Sequence, residues 1–318
     1  MSRRQGIAIF SILLALAAVS AIYFRHRPRL IPHRASSTFR EYLADRQSRM
    51  VVYSPDLDDV ATDYVVRKQL SLLRLKFDGI VLYECDGETD LILRTAESLK
   101  FHAALLTIWS PTSEEEIRLA AKLVREYRTR MALAVSIGSE GIMEKRYTVH
   151  DLEAAQEDLF RFSDSSPEVE TTTTEPWWLY TGSTPDSAKL QPFGDFLCVN
   201  IHVIWDTDLT SPATAAEWTA DRAKDLARTT GRPVLIREAG FPGGGYSPRA
   251  DSVFEFNRDL QFAFWQNWNT RFRSSAPPIV AFEGIDNPAK HWKSFESSWG
   301  LLGPDLQPHA AWEAFPTL

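Results

Sequence analysis

The stretch AALLTIWSPTSEEEIRLAAKLVREYRTRMALAVSI, residues 103–137, decides the fold class. It opens on an apolar run, Ala103–Trp109, and closes on another, Met131–Ile137, and both have the length and composition of buried strands. Between them, Ser113 and Glu116 have the spacing of a capping box, which predicts that a helix begins there. A strand, a helix and a second strand in this order predict a parallel β-α-β unit.

The same alternation continues in both directions from this unit. The predicted strands are Met50–Tyr53, Gly79–Tyr83, Ala103–Trp109, Met131–Ile137, Val169–Thr174, Phe196–His202, Val234–Arg237 and Pro278–Glu283. Eight such units in about 270 residues fit a closed (β/α)8 TIM barrel, which needs roughly 250. An open doubly wound sheet is the alternative, but the first strand leads into SPDLDD, which lacks the glycine-rich turn typical of that fold.

The barrel domain is predicted to span residues 50–318. Its helices are predicted at Ala61–Lys76, Asp90–Lys100, Ser113–Arg128, Val149–Phe162, Ala213–Thr229 and Val253–Phe272, with a closing helix that runs through Trp312. Residues 25–49 are basic and polar and are interpreted as a tether with a short helical stretch, Phe39–Arg49.

The amino-terminal segment, residues 1–24, is predicted to be a transmembrane signal anchor or a signal peptide. Residues 7–24 carry no charge and would span about 27 Å as a helix, enough for a hydrocarbon core. Cleavage after the small residues Val19-Ser20-Ala21 would give a secreted protein, but the apolar run continues beyond them, which favours an anchor. We expect a periplasmic or extracellular barrel; the arginines that follow the span favour a cytoplasmic one, so orientation stays open.

Composition excludes several function classes. The net charge is −7 and no basic stripe follows residue 40, which argues against nucleic acid as a partner. The seven histidines are scattered, so neither a metal site nor a cofactor is expected. Cys85 and Cys198 are too few for a disulfide framework and are expected to act as small apolar side chains, with a bridge between them as the alternative.

Titratable residues stand at the carboxyl ends of five predicted strands: Glu140, Glu175, His202, Glu238 and Glu283. Reactive side chains of (β/α)8 barrels occupy this rim, and charged groups are rarely buried there for packing alone. Glu140 and Glu238 follow the fourth and seventh strands, which face each other across the barrel mouth. Two carboxyl groups about 5 Å apart are the machinery of retaining glycosidases, so these two are the candidate catalytic pair.

Eight segments resemble, in order and spacing, those of glycoside hydrolase family 17, and of its bacterial branch in particular: MVVYSPDLDD, GIVLY, LLTIW, SIGSEGIMEKRYTVHDL, TTTTEPWW, IREAGFPGG, AFEGIDNPAKHW and WGLLGPDLQP. The resemblance covers about residues 50–315. It implies a retaining β-glucan hydrolase or transglycosylase, chiefly on β-1,3 links, that needs no cofactor. It implies Glu140 as general acid/base and Glu238 as nucleophile. The implied substrate-binding residues are Tyr83, Trp109, Ser139, Glu175, Trp177, His202, Phe241, Glu283, Asp286, Lys290 and Trp299.

Two positions depart from the family pattern. Ser139 replaces an asparagine that binds the sugar 2-hydroxyl in such barrels, and Phe241 replaces a tryptophan. Contacts to that hydroxyl supply several kcal/mol in the transition state, so the serine is expected to weaken activity or shift the sugar preference. The alternative function is therefore a catalytically weak or inactive membrane-anchored protein that binds an oligo- or polysaccharide.

Overall fold

The computed structural model describes residues 38–45, 49–55, 63–164, 169–249 and 254–318. The predicted anchor, residues 1–24, lies outside them, as does the tether up to residue 37. Within the described ranges, no helix combines the length and apolar character that crossing a bilayer requires.

Eight parallel strands form the centre of the fold, in the order β7-β6-β5-β4-β3-β2-β1-β8. They are β1 Met50–Val52, β2 Gly79–Val81, β3 Ala103–Ile108, β4 Ala132–Ser139, β5 Glu170–Pro176, β6 Leu197–Asn200, β7 Val234–Glu238 and β8 Val280–Ala281. A bridge between Ile236 and Ile279 joins the two ends of the sheet. The predicted (β/α)8 architecture is thus confirmed as a nearly closed barrel.

Helices alternate with the strands: α1 Phe39–Ala44, α2 Asp63–Leu73, α3 Thr89–Ser98, α4 Glu114–Tyr127, α5 Val149–Ser163, α6 Ser187–Leu190, α7 Val203–Asp206, α8 Pro212–Thr230 and α9 Arg258–Asn267. The short helices α6 and α7 lie in loops and carry no amphipathic pattern that sequence could reveal. The long aromatic helix predicted at 253–272 is shorter: it begins at Arg258, after the N-cap Asn257, and its last turn, Trp268–Phe272, winds as a π-helix. The closing helix is a 3₁₀ turn, Ala310–Ala314.

Helix α4 illustrates how the sequence positions the outer layer. Ser113 caps its first turn by accepting the backbone N–H of Glu116, as predicted. Its buried face includes Ile117, Leu123 and Tyr127, which pack into the core around the strands. Each such side chain stabilises the fold by about 1.5–3 kcal/mol through burial, so this face fixes the helix against β3 and β4.

Helix α1 packs against the end of the barrel where the strands begin. The Phe39 ring stacks on Phe196 with centroids 5.5 Å apart, and Arg40 pairs with Glu170 at the start of β5. This part of the segment interpreted as a tether is therefore attached to the barrel. A soluble fragment should begin before Thr38, whose hydroxyl caps α1.

The described residues also include one large cavity and two cysteines. A cavity of about 560 Å³ opens at the end where the strands begin, lined in part by Met50, Val234 and Ile279. Cys85 and Cys198 are both buried and carry free thiols, as expected for small apolar side chains.

Candidate active site

Glu238, the last residue of β7, is held by two side chains from other strand ends. The Tyr83 hydroxyl donates to its Oε1 at 2.6 Å, and His202 Nε2 lies 2.9 Å from its Oε2. Burial alone would raise the pKa of this carboxyl, but the hydrogen bond and charge of His202, the charge of Arg237 and the Tyr83 hydroxyl outweigh it. Together they lower the pKa of Glu238 to about 2, so it is ionised at neutral pH.

His202 begins the short helix α7 and lies among aromatic rings. Its ring contacts Phe282 and Trp299, with centroids 6.0 and 5.8 Å apart. Burial lowers the pKa of the imidazole. The hydrogen bond to Glu238 and the negative charge of Glu238 raise it by more than burial lowers it, so the pKa lies above its ordinary value. His202 therefore carries positive charge more readily and supports the ionised form of Glu238.

Glu140 follows β4 directly, in a left-handed backbone conformation with φ of 55°. Its N–H donates to the Thr174 carbonyl on β5 at 2.8 Å, and the register of β4 against β5 shifts between Ser136 and Ser139. Such conformations cost about 1–3 kcal/mol and cluster at active sites. Burial, and then the negative charge of Glu238, raise the pKa of the Glu140 carboxyl.

Asn200, at the end of β6, joins the two glutamates. Its backbone pairs with that of Glu238 on β7. Adjacent strands lie about 4.8 Å apart, so the two residues are direct neighbours. Its side-chain Nδ2 donates to Glu140 Oε1 at 2.9 Å. Both carboxyl groups therefore belong to one site at the carboxyl ends of the strands, and their pKa values are shifted in opposite directions.

The buried Glu283 forms an ion pair with the partly buried Lys290 beside them. Lys290 Nζ lies 2.7 Å from Glu283 Oε2 and 5.6 Å from the centre of the Tyr83 ring. Burial raises the pKa of Glu283 to about 7, with the lysine opposing that rise. The structure thus brings Tyr83, His202, Glu283 and Lys290, all predicted from the sequence, to the same mouth as Glu140 and Glu238.

The pattern of a family model for the BtgE/BtgC glycoside hydrolase domain matches residues 51–300 of this chain. The chain belongs to this glycoside hydrolase family. The resemblance to glycoside hydrolases expected from the sequence is thereby confirmed. No curated protein sequence gives a significant match.

Solved structures similar to this BtgE/BtgC-family hydrolase include two enzymes with matching barrels. The β-1,3-glucanosyltransferase of glycoside hydrolase family 17 from Rhizomucor miehei is 14% identical, with a TM-score of 0.69 over 84% of this chain and 97% of that enzyme. An endo-laminarinase from Formosa Hel1_33_131 is 15% identical, with a TM-score of 0.71 over 87% of this chain and 88% of that one. At these identities the likeness shows a shared fold.

Glu175 has a different environment from the one expected for a substrate-binding residue of the hydrolase. Its side chain is wholly buried, and its two oxygens accept the backbone N–H groups of Ile142 and Met143 at 2.9 and 3.2 Å. Burial raises the pKa of Glu175 to about 8, against the pull of these two N–H groups. Glu175 thus anchors the loop that follows Glu140 and has no exposed atom for a sugar.

Three other predicted substrate contacts are buried beneath the mouth. Ser139 is 2% exposed, and its hydroxyl accepts a hydrogen bond from Arg237. Phe241 packs its ring on Phe256 and Phe264 in the core. Trp299 is equally buried and contacts His202, so it orients that ring. The contact of these three residues with substrate stays a prediction; the contacts that the structure shows are with Arg237, with the aromatic core and with His202.

Asp286 is also a structural residue. Its Oδ2 lies 2.5 Å from Arg258 Nη2 and 2.9 Å from His309 Nε2, and its Oδ1 accepts the Gly300 N–H at 2.7 Å. Both oxygens have partners within the chain, and the expected contact of Asp286 with substrate stays a prediction. The carboxylate ties the segment after β8 to helix α9.

We expect Asp286→Asn to lower the free energy of unfolding by about 3 kcal/mol, because it leaves the Arg258 charge without its carboxylate. Urea denaturation monitored by circular dichroism measures this change. The matched control is Glu114→Gln, which removes an exposed pair with Arg118 and should cost less than about 1 kcal/mol. Equal effects of the two variants would contradict the structural role of Asp286.

Trp109 and Trp177 keep exposed surface near the site. Trp109 is 43% exposed and lies under the Arg146 guanidinium, 4.3 Å from the ring centre. Trp177 Nε1 donates to Asp206 at 3.0 Å, which fixes its ring beside Trp218. These two rings remain candidates for stacking on the apolar face of a sugar.

Sequence reasoning missed two polar residues of the site, Asn200 and Arg237. Both interrupt otherwise apolar strands, in VNIH and LIREAG, and a buried polar side chain inside a barrel strand is itself a signal. Asn200 carries no titratable group and lies inside the predicted strand Phe196–His202, and Arg237 counts as a strand residue in the predicted strand Val234–Arg237.

Proposed function

We propose that the chain is a retaining β-glucan hydrolase or transglycosylase, with Glu140 as general acid/base and Glu238 as nucleophile. The observation that carries the proposal is that Asn200 links the two glutamates at one site: its side chain donates to Glu140 Oε1 at 2.9 Å, and its backbone pairs with that of Glu238. The pKa of Glu140 is raised and that of Glu238 is lowered. A proton donor beside an ionised carboxylate is the arrangement that glycosidic bond cleavage with retention requires.

The first step of the proposed reaction forms a glycosyl-enzyme. A Glu238 oxygen attacks the anomeric carbon while the protonated Glu140 transfers its proton to the departing glycosidic oxygen, so the leaving sugar ends as a neutral alcohol. The Tyr83 hydroxyl and His202 hold the attacking carboxylate by its two oxygens. This restraint reduces the motion that Glu238 must lose to reach the attacking geometry.

The second step releases the sugar. The ionised Glu140 removes a proton from a water or a sugar hydroxyl, whose oxygen attacks the same carbon and displaces Glu238. Water gives hydrolysis, and a second glucan chain gives transfer. The Asn200 amide donates to Glu140 and favours its ionised form in this step, whereas burial and Glu238 favour the protonated form in the first.

A β-1,3-linked glucan is the substrate that we propose. Support comes from the similar barrels, since the Rhizomucor miehei enzyme is a β-1,3-glucanosyltransferase solved with laminaritriose and the Formosa enzyme is an endo-laminarinase. The site adds exposed Trp109 and partly exposed Trp177 as stacking surfaces. His202 lies 2.9 Å from Glu238, close enough to contact a sugar bound there, and Lys290 lies over the ring of Tyr83, which also holds Glu238.

Product analysis tests the proposal. The purified full-length chain should release reducing sugar from β-1,3-glucan, and products longer than an oligosaccharide substrate would identify transfer. Proton NMR during the first turnovers should show the β-anomer, because retention keeps the configuration of the cleaved bond. Binding of the glucan without any product would favour the alternative of a glucan-binding protein, and an initial α-anomer would exclude the retaining mechanism.

A further inference from the structure

Arg237 occupies an unusual position in β7. Val199 pairs with Ile236, whereas the next residue, Asn200, pairs with Glu238, so Arg237 is the extra residue of a β-bulge. Bulges of this kind redirect a side chain and occur next to active sites. Here the bulge lets Arg237 and Glu238, which are consecutive in the chain, both reach Tyr83.

The guanidinium of Arg237 lies wholly inside the barrel. Its Nη1 donates to the Ser139 hydroxyl at 3.1 Å and its Nη2 to the Thr107 hydroxyl at 3.0 Å. Its central carbon lies 4.4 Å from the centre of the Tyr83 ring. Among the described residues no carboxylate oxygen comes within ion-pair distance of it, and its Nε has no hydrogen-bond partner there.

A buried cation without a contacting anion is costly, so it is an improbable choice for packing alone. The negative charge that it does influence is Glu238, whose pKa it helps to lower. The Tyr83 ring lies between the two groups: Arg237 lies against its face, and its hydroxyl donates to Glu238 Oε1. Ser139 belongs to this arrangement, because its hydroxyl accepts a hydrogen bond from Arg237 Nη1.

We propose that Arg237 is a positioning residue for the nucleophile: seated on the hydroxyls of Ser139 and Thr107, it fixes the Tyr83 ring and places a positive charge beneath Glu238. This inference rests on the proposed function. It gives a supporting role to Ser139, the residue that departs from the family-17 pattern, because the Ser139 hydroxyl holds Arg237. On this inference the departure does not by itself imply a loss of activity.

Several groups contribute to the titration of Glu238, and any test must distinguish Arg237 from them. The titratable or charged side chains that act on it or are affected by it are Tyr83, Glu140, Cys198, His202, Arg237, Glu283 and Glu296. Of these, His202 and Arg237 supply the positive charge. Loss of Arg237 alone therefore leaves one of the two cations in place.

The test compares the pH dependence of kcat/KM for the wild-type chain, Arg237→Met and Arg237→Lys on the same glucan. Methionine removes the charge at similar length, and lysine keeps it. We expect the acidic limb of the Arg237→Met profile to move upward by about 1–3 pH units, with a loss of about 10²-fold near neutral pH. Arg237→Lys should keep the wild-type limb and recover most of the rate.

Arg74→Met is the matched control, because Arg74 also lies over an aromatic ring, that of Phe101, but is only partly buried. An unmoved acidic limb in Arg237→Met would overturn the inference. If that variant does not fold, Arg237→Gln is compared alone and in a Tyr83→Phe background. We expect the glutamine change to cost much less activity once the Tyr83 hydroxyl is gone, because part of its effect passes through that hydroxyl, and full multiplication of the two losses would also overturn the inference. An inactive wild-type chain would instead contradict the proposed function.

Discussion

Glu238→Gln is expected to lower kcat on β-1,3-glucan by on the order of 10⁴–10⁶-fold, as loss of a nucleophile does in other covalent mechanisms. The amide cannot attack the anomeric carbon, although it is similar in size to the carboxyl group that Tyr83 and His202 now contact. Initial rates of reducing-sugar release measure the loss. Glu114→Gln, an exposed glutamate on α4, is the control and should keep wild-type activity.

Azide, a small external nucleophile, should restore part of the activity that is lost when the Glu238 carboxylate is removed. In Glu238→Gly, azide can enter the vacated space and attack a substrate with an activated leaving group, giving an α-glycosyl azide from a β-glucoside. Two results together would assign the nucleophile to another residue: Glu238→Gln keeps more than about one hundredth of wild-type activity, and Glu238→Gly forms no azide product.

Glu238→Gln also has a consequence for stability. The pKa of Glu238 is lowered from 4.5 to about 2 in the folded chain. A lowered pKa stabilises the fold above the unfolded value, and this contribution is lost as pH falls from about 4.5 towards 2. The difference in free energy of unfolding between wild type and Glu238→Gln should therefore shrink over that interval. Chemical denaturation at several pH values measures it.

The candidate pair could be found from sequence because barrel topology fixes where strand ends lie. Glu140 and Glu238 each follow an apolar run, and parallel strands bring all such ends to one mouth. Asn200 then links them, through register to one and a hydrogen bond to the other. The helices α6 and α7 were missed since four-residue segments are too short for a periodic pattern.

What sequence could not give is the direction of individual side chains. Glu175 and Asp286 stand at the rim like the candidate pair, but their oxygens are occupied by backbone N–H groups and, for Asp286, by Arg258 and His309. Such partners come from segments distant in the chain. Arg237 was hidden for another reason: a single inserted residue in β7 reverses the inward and outward alternation that strand reading assumes.

Glu140→Gln should have an effect that depends on the leaving group. Without a proton donor, cleavage of unactivated glucan should fall by about 10²–10⁴-fold, which is the usual contribution of general acid catalysis. An aryl glucoside whose leaving group needs no proton should form the glycosyl-enzyme almost as fast as with wild type. The burst of released phenol measures this first step, and slow steady-state release after it reports the missing base.

The pH profile separates this role from a merely structural one. The raised pKa keeps Glu140 protonated at higher pH, so wild-type kcat/KM should fall as pH rises through that pKa. The basic limb should disappear in Glu140→Gln. In the same variant, azide should give a β-glycosyl azide, because azide attacks the glycosyl-enzyme from the face where the Glu140 carboxylate stood. A basic limb that persists unchanged would transfer the acid role to another group, such as Glu283, whose pKa burial raises to about 7.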